Sequence, residues 1–419
     1  MAHIGRRELL AGAAGVIAAG AAGPAAAAVP AASAPGPAGR IPARATTPEF
    51  RGMWIASVSN VDWPSRAGLS AARQRAELLA LLDTAVKRRL NAVILQVRPA
   101  ADALWPSRLE PWSQWLTGEQ GEDPGWDPLG TAVTEAHARG LQLHAWFNPY
   151  RVANHTDLDL LADGHQARRN PDWTVEYGGK LFYNPGMPEV RQFVQEAMLD
   201  AVSRYAIDGV HWDDYFYPYP VEGEYFDDDE AYEEHGGDFA SRAAWRRHNT
   251  DTLVREMSER VRALRPAARF GISPFGIWRN SDVDPLGSPT RGLGTYDDLY
   301  ADTRKWVKEG WIDYVAPQAY WHIGHPTADY ADLVPWWAHT VAGTGVRLYV
   351  GEALYRCAPD SPTEAWRDPR ELSRHVAFAR KYPEVRGHIW FSAKQVVADP
   401  NGAMSRVVAD HYPTAAPPS

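Results

Sequence analysis

From Glu49 onward, short apolar segments alternate with longer segments that have the apolar periodicity of helices. Residues 91–97 (NAVILQV) are almost continuously apolar, as expected of a strand buried on both faces, and residues 70–90 place leucines at helical spacing. Strict alternation of this kind predicts parallel strands joined by right-handed helical crossovers. The eight strand-like segments cover residues 50–58, 91–97, 141–148, 209–216, 269–275, 312–320, 346–353 and 387–392.

Eight such units are typical of a closed α/β barrel, so the predicted fold is a (β/α)₈ (TIM) barrel. An open doubly wound sheet is the main alternative, but no glycine-rich phosphate-binding loop follows the first strand. The barrel is predicted to span residues 49–412 as a single domain, and residues 413–419 form a short tail.

The first 48 residues differ from the rest in composition. Arg6 and Arg7 precede an apolar run, rich in alanine and glycine, that ends in small residues near Ala28. This arrangement predicts a twin-arginine (Tat) signal peptide over residues 1–28, followed by a flexible linker over residues 29–48. We expect a secreted or cell-envelope protein without an integral membrane segment in the mature chain, because glycines and prolines interrupt the apolar run.

The charge and the cysteine content exclude other classes of protein. The net charge is −9, which argues against nucleic acid or an anionic membrane as the partner. Cys357 is the single cysteine, so an exported form has no internal disulfide and its core is stabilised by packing.

The active site of such a barrel lies at the C-terminal ends of the strands, and here these ends are rich in aromatic residues, amides, arginines and acids. The chain contains 18 tryptophans. Aromatic rings stack on the C–H faces of sugars while polar groups bind the hydroxyls, so a polysaccharide or glycan is the predicted partner. The candidate substrate-binding residues are Arg98, Trp146, Asn148, Tyr150, Arg151, Trp212, Tyr215, Gln318, Tyr320, Trp321, Tyr355 and Trp390.

Glycoside hydrolysis needs two carboxyl groups, one to protonate the leaving oxygen and one to act as nucleophile or base. The fourth strand ends in Asp213 and Asp214, which we expect on opposite sides because side chains alternate along a strand. Asp213 is predicted to be the nucleophile or general acid, and Asp214 to assist it by raising a pKa. Glu352, which ends the seventh strand, is the third candidate; its alternative role is a salt bridge to an arginine such as Arg356.

Six stretches of the chain carry a family resemblance: residues 49–54 (EFRGMW), 96–99 (QVRP), 146–151 (WFNPYR), 208–218 (DGVHWDDYFYP), 273–276 (SPFG) and 317–321 (PQAYW). With these stretches the chain resembles the glycosyl-hydrolase-like 10 family of bacterial barrels, and the likeness covers nearly all of residues 49–400. This resemblance implies activity on bacterial envelope glycans, and on peptidoglycan strands in particular. The spacing of Asp208, Gly209 and Asp213 is also similar to strand four of α-amylase-type barrels. It is similar in part to the chitinase motif, in which the catalytic acid would fall on Tyr215.

The sequence therefore predicts an exported glycoside hydrolase that cleaves a cell-envelope glycan. The missing partner carboxyl for Asp213 favours a second hypothesis, a non-catalytic glycan-binding barrel. A metal-dependent hydrolase is a third, but His144, His211 and His322 lie on different strands, with no HxH or HExxH pattern. We expect no metal and no organic cofactor.

Overall fold

The computed structural model describes residues 49–416, so the predicted signal peptide and linker lie outside the described residues. This part of the chain contains eleven strands. In chain order they are β1 Phe50–Ile55, β2 Ala92–Arg98, β3 Gln142–Phe147, β4 Arg151–Ala153, β5 Thr174–Tyr177, β6 Lys180–Tyr183, β7 Gly209–Trp212, β8 Arg269–Ile272, β9 Tyr314–Val315, β10 Arg347–Glu352 and β11 Val385–Trp390.

Eight of the strands form a closed barrel in the order β1-β11-β10-β9-β8-β7-β3-β2, and every neighbouring pair is parallel. This arrangement confirms the predicted (β/α)₈ fold. The strands β4, β5 and β6 form a separate antiparallel sheet in the segment after β3, which the sequence analysis did not predict. Strands of three or four residues are too short for their period to stand out from loop sequence.

Helices separate the barrel strands, and several begin at a side-chain cap. Ser70 accepts a hydrogen bond from the Arg73 amide, and Asp127 caps its helix ahead of Pro128. No helix within residues 49–416 is long and apolar enough to cross a membrane. The helices are α1 Ala71–Lys87, α2 Gln114–Thr117, α3 Pro128–Ala138, α4 Gln166–Arg169, α5 Pro188–Arg204, α6 Asp229–His235, α7 Arg242–Leu264, α8 Thr295–Asp298, α9 Thr303–Lys308, α10 Tyr330–Val341, α11 Glu364–Arg367, α12 Glu371–Ala379, α13 Ala393–Ala398 and α14 Ala403–His411.

The interior of the barrel is filled by aromatic and imidazole rings. Trp54 Nε1 donates to His211 Nε2 over 3.1 Å, so the proton of this neutral ring is on Nδ1, 2.8 Å from the Tyr314 hydroxyl. That hydroxyl in turn lies 2.9 Å from His144 Nδ1. Burial lowers the pKa of both histidines, to about 3 for His144. A Cβ at Gly271 would lie only 2.1 Å from the Tyr314 ring, so the glycine provides the space that this ring occupies.

The strand period of two decides which side chains reach the active-site end. On β7, His211 faces the interior, while Val210 and Trp212 belong to the core between the barrel and its helices. Asp213, the residue after the strand, follows the same alternation and turns inward. The rings around His211 therefore form the floor of the candidate site, and Asp213 lies above them at the C-terminal end of the barrel.

Candidate active site

Asp213 lies at the C-terminal end of β7, and it is only 6% exposed. Both of its carboxyl oxygens accept from the Asn148 amide nitrogen, at 2.8 Å and 2.6 Å, and the Tyr215 backbone N–H lies 3.4 Å from Oδ1. Burial, together with the neighbouring Asp214 carboxylate, raises the pKa of Asp213 to about 7. The group therefore gains and loses a proton near neutral pH.

A relay of side-chain amides fixes the orientation of Asn148. The backbone N–H groups of Ser57 and Val58 donate to Gln96 Oε1 at 3.0 Å and 2.9 Å, so Nε2 of Gln96 points toward Asn148. This Nε2 donates to Asn148 Oδ1 over 2.6 Å, which leaves Asn148 Nδ2 to face Asp213. Gln96 was not among the predicted site residues, although it lies near the end of β2, beside β3, which Asn148 directly follows.

Asp214 is held from the other side of the barrel mouth. Its Oδ1 accepts from Gln318 Nε2 over 3.0 Å, and its Oδ2 accepts from the Tyr219 hydroxyl. The same Gln318 amide donates to the Ser273 carbonyl at 3.0 Å. Asp213 and Asp214 are therefore held from the two sides of β7, by Asn148 after β3 and by Gln318 after β9. Burial also raises the pKa of Asp214.

Arg151 is a cation whose charge acts on both carboxyl groups. Its guanidinium lies 4.5 Å from the centre of the Tyr215 ring, and its charge opposes the rise in pKa of both carboxyls. The side chain is buried, with one hydrogen bond of 3.4 Å to the Pro99 carbonyl. Arg151 and Tyr215 therefore lie at the site, as predicted.

Three aromatic rings form a wall beside the carboxyl pair. The ring centroid of Tyr320 lies 5.7 Å from that of Tyr355 and 6.1 Å from that of Phe391, and the last two are 5.9 Å apart. All three residues are partly exposed. The pKa of Tyr320 is raised by burial and by the charges of Tyr355, Asp214, Glu352 and Asp213, so this wall lies within electrostatic reach of the carboxyl pair. Tyr320 and Tyr355 were predicted; Phe391, which directly follows β11, was missed.

Several predicted stacking residues do not reach the mouth. Trp212 lies between two inward-facing residues and so faces outward, with its ring 4.8 Å from Phe270. Trp390 is fully buried and stacks on His388 at 5.9 Å, outside the barrel. Tyr150 is also fully buried in the core. Their prediction as substrate-binding residues is wrong. For Trp212 and Trp390 the position near a strand end was considered without the strand period, whereas Tyr150 packs into the core after β3 has ended.

Two further tryptophans that were predicted to bind substrate are only slightly exposed. Trp146 faces the barrel interior, edge-on to His211 at 6.4 Å, and is 6% exposed. Trp321 is 8% exposed and packs edge-on to Phe275 at 5.4 Å, in a small apolar cluster. Little of either ring is therefore open to a bound molecule.

Arg98 is fully buried and already paired, contrary to its prediction as a substrate-binding residue. Its Nε donates to Glu110 over 2.8 Å and its Nη2 to the second oxygen of the same carboxylate. Its Nη1 donates to the Pro149 carbonyl at 3.0 Å and to that of Asn148. Arg98 therefore anchors the backbone that carries Asn148.

Arg98→Ala is expected to lower the free energy of unfolding by about 3–5 kcal/mol, because it leaves the Glu110 carboxylate buried without a counter-charge. Urea denaturation measures this loss, and Arg108→Ala, at an exposed position, is the matched control. Full stability combined with a higher KM would instead support direct contact between Arg98 and the substrate.

Glu352 points away from the mouth, toward the outer helices. Gly351 faces the interior beside Trp54, so Glu352 faces outward. Its oxygens accept from the Tyr330 hydroxyl at 2.8 Å and contact Nδ1 of His375 and His388 at 2.8 Å and 2.9 Å. The structure does not bring Glu352 to Asp213, and its partners are histidines of α12 and β11 rather than Arg356.

Within residues 49–416 no group of three or more histidine, cysteine, aspartate or glutamate side chains is placed to hold a metal ion. His144 and His211 both bond to Tyr314 inside the barrel, and His322 lies 5.2 Å from His325 outside it.

The model of the family described as "Glycosyl hydrolase-like 10" matches residues 49–368, most of the barrel. The chain belongs to this family. Glycosyl hydrolase YngK of Bacillus subtilis (strain 168) is 48% identical over 369 residues, which cover 87% of this chain and 72% of YngK. Glycosyl hydrolase DigH of Escherichia coli (strain K12) is 41% identical over 378 residues, 85% of this chain and 86% of DigH. The family and the predicted class of enzyme, a glycoside hydrolase, are confirmed.

Solved structures share the fold at low sequence identity. The PgaB (BpsB) glycoside hydrolase domain from Bordetella bronchiseptica superposes with a TM-score of 0.55 at 14% identity, covering 86% of this chain and 98% of that one. The endo-1,4-beta-mannanase from Rhizomucor miehei gives a TM-score of 0.52 at 10% identity, covering 88% and 97%. These similarities concern the barrel itself.

Proposed function

We propose that this protein is an exported glycoside hydrolase that cleaves glycosidic bonds in bacterial cell-envelope glycans, and peptidoglycan strands in particular. The observation that carries the proposal is the buried Asp213–Asp214 pair at the barrel mouth, beside a wall of partly exposed aromatic rings. Export is supported by the twin-arginine sequence at Arg6 and Arg7. It would place the enzyme where these glycans are.

Asp213 is the proposed general acid. Two adjacent buried carboxyls cannot both ionise without a large electrostatic cost, so the pair retains one proton near neutral pH. Tyr219 and Gln318 each donate to one oxygen of Asp214, which favours its ionised form, so we assign the proton to Asp213, whose pKa burial and the Asp214 charge raise to about 7. Protonation of the leaving glycosidic oxygen by a carboxyl group with such a pKa is efficient at the pH of the cell envelope.

The remaining groups would bind the sugar. Tyr320, Tyr355 and Phe391 would provide the stacking surface, and Gln318, which is partly exposed and whose amide bridges Asp214 and Ser273, would bind a ring hydroxyl. Arg151 would face an acidic or hydroxyl group of the substrate beside Asp213.

The pH dependence follows from the same assignment. If Asp213 acts as a general acid, kcat falls as the pH rises through about 7, because the proton is lost. Initial rates on purified glycan strands between pH 5 and about pH 9 measure this limb. A rate that increases through the same range would assign Asp213 to the nucleophile instead.

Release of new reducing ends tests the function itself. Purified peptidoglycan glycan strands incubated with the protein should gain reducing ends in proportion to time, whereas mannan and cellulose should not. A glycan-binding barrel without activity would sediment with the strands and release no ends, which is the outcome that would overturn the proposal.

A further inference from the structure

The carboxyl groups of the site come from one strand end. Asp213 and Asp214 are the acids whose charges act on the neighbouring Tyr215 and Tyr219. Glu352, across the barrel, faces outward and is bound by Tyr330 and two histidines. The wall that adjoins the pair is formed by Tyr320, Tyr355 and Phe391, which carry no carboxyl group.

Asp62, a further acid in the segment after β1, is also held by hydrogen bonds within the protein. Its Oδ1 accepts from the Ser392 hydroxyl at 2.6 Å and from the Lys394 amide at 2.9 Å. Its Oδ2 accepts from the Ala56 amide at 2.8 Å. This carboxylate joins the segments after β1 and β11 through three hydrogen bonds, two of them from backbone amides.

The positions of these carboxyl groups differ from the usual arrangement in glycosidases. Retaining glycosidases place an acid and a nucleophile on the two sides of the scissile bond, about 5 Å apart, and inverting enzymes separate them by about 6.5–9.5 Å to admit water. Asp213 and Asp214 instead follow one another directly after β7, and Asn148 and Gln318 hold them on the two sides of that strand. Glu352 and Asp62 are held by other groups of the protein, so neither is placed to supply the nucleophile.

We infer that the substrate itself supplies the nucleophile: the sugar whose bond is cleaved carries a 2-acetamido group, and the carbonyl oxygen of that group attacks C1. Asp213 is the acid and then the base, and the Asp214 carboxylate accepts the hydrogen bond of the acetamido N–H. This inference rests on the proposed function and narrows its substrate class to glycans of 2-acetamido sugars.

The first step forms the bond from the acetamido oxygen to C1 and breaks the bond from C1 to the leaving oxygen. The leaving oxygen takes the proton of Asp213, and the positive charge of the resulting oxazolinium ring is stabilised by the Asp214 carboxylate. In the second step a water molecule attacks C1 and gives a proton to Asp213. The bond from C1 to the acyl oxygen breaks, which restores the acetamide and the original anomeric configuration.

The surroundings of the two carboxyls match these roles. Asp214 is fixed by the Tyr219 hydroxyl and the Gln318 amide, one on each oxygen, and both donors favour its ionised form. Each carboxylate oxygen retains a further lone pair for the acetamido N–H. Asp213, whose oxygens share one amide group of Asn148, is the member of the pair that exchanges protons near pH 7.

Re-N-acylated glycan strands test the inference with the intact protein. Strands from which the N-acetyl groups have been removed are re-acylated with acetyl, difluoroacetyl or trifluoroacetyl groups. Fluorine withdraws electrons from the carbonyl oxygen, so kcat/KM should fall steadily along this series, by about 100-fold in total. The re-acetylated strands are the matched control and should be cleaved like native strands.

The outcomes separate this inference from the proposed function. If native and re-acetylated strands both release no reducing ends, the proposed function fails. If all three acylated strands are cleaved equally fast, or if mass spectrometry finds the protein covalently glycosylated on a carboxyl group, the function stands and the substrate-derived nucleophile is excluded. Competitive inhibition by the 1,2-fused thiazoline of N-acetylglucosamine, a stable analogue of the oxazoline, is the expected supporting result.

Discussion

Asp213→Asn should lower kcat on peptidoglycan glycan strands by about 10³-fold, within the range expected when a general acid is removed. The amide has nearly the same shape as the carboxyl group, and it can still accept a hydrogen bond from Asn148. It has no acidic proton to give to the leaving oxygen. Reducing-end release measured with excess substrate provides the comparison with the unmodified protein.

Asp208→Asn is the matched control, since Asp208 precedes the same strand at its opposite end. Its carboxylate contacts His137 and the Leu143 amide, each at 2.8 Å. We expect this variant to retain activity within a fewfold of the unmodified protein. Undiminished turnover by Asp213→Asn would refute the role of Asp213.

Asp213→Asn should also leave the fold intact. The pKa of Asp213 in the folded protein, about 7, lies above its ordinary 3.8, so ionisation of this group costs folding free energy as the pH rises from 3.8 through 7. The neutral amide removes that cost. Thermal unfolding at pH 8 should therefore show a Tm no lower than that of the unmodified protein, and a clearly lower Tm would attribute the lost activity to misfolding.

Glu352→Ala, unlike Asp213→Asn, should destabilise the fold and lower the free energy of unfolding by about 3–5 kcal/mol. The substitution leaves His375 and His388 buried without their shared acceptor and removes the bond from Tyr330. Urea denaturation measures the change, and Glu364→Ala, at an exposed position, is the control. A stable Glu352→Ala protein that had lost kcat would return Glu352 to the catalytic candidates.

This stabilisation should depend on pH in a defined window. Charge interaction with the histidines lowers the pKa of Glu352, so its contribution is present above the ordinary 4.5 and is lost as the pH falls through the lowered value. Glu352 in turn raises the pKa of His375, whose contribution is complete below 6.5 and is lost as the pH rises through the raised value. The difference between Glu352→Ala and the unmodified protein should be largest between pH 4.5 and 6.5.

Much of the candidate site was predictable from position along the chain. Asp213, Asn148 and Gln318 were identified because each follows a strand, and the structure joins them around the carboxyl pair. Two of the errors also have one cause. Trp212 and Trp390 lie at strand ends as well, but an inward Asp213 requires an outward Trp212, and the period of two could have excluded it.

The partners of Arg98 and Glu352 could not be predicted in the same way. Glu110 lies in the loop after β2, and His375 lies on a helix that packs outside the barrel. A polar residue near a strand end has the same local sequence whether it binds a substrate or a buried counter-charge. Only the packing of distant segments distinguishes the two.

The sequence by itself determined the alternation of strands and helices, and with it the closed barrel and the end at which a site would form, because apolar periodicity is a local property of the chain. The tertiary structure decided which of the three acids share the mouth. Ionisation and orientation depend on burial and on donors such as Tyr219 and Gln318, which other strands and loops bring into place.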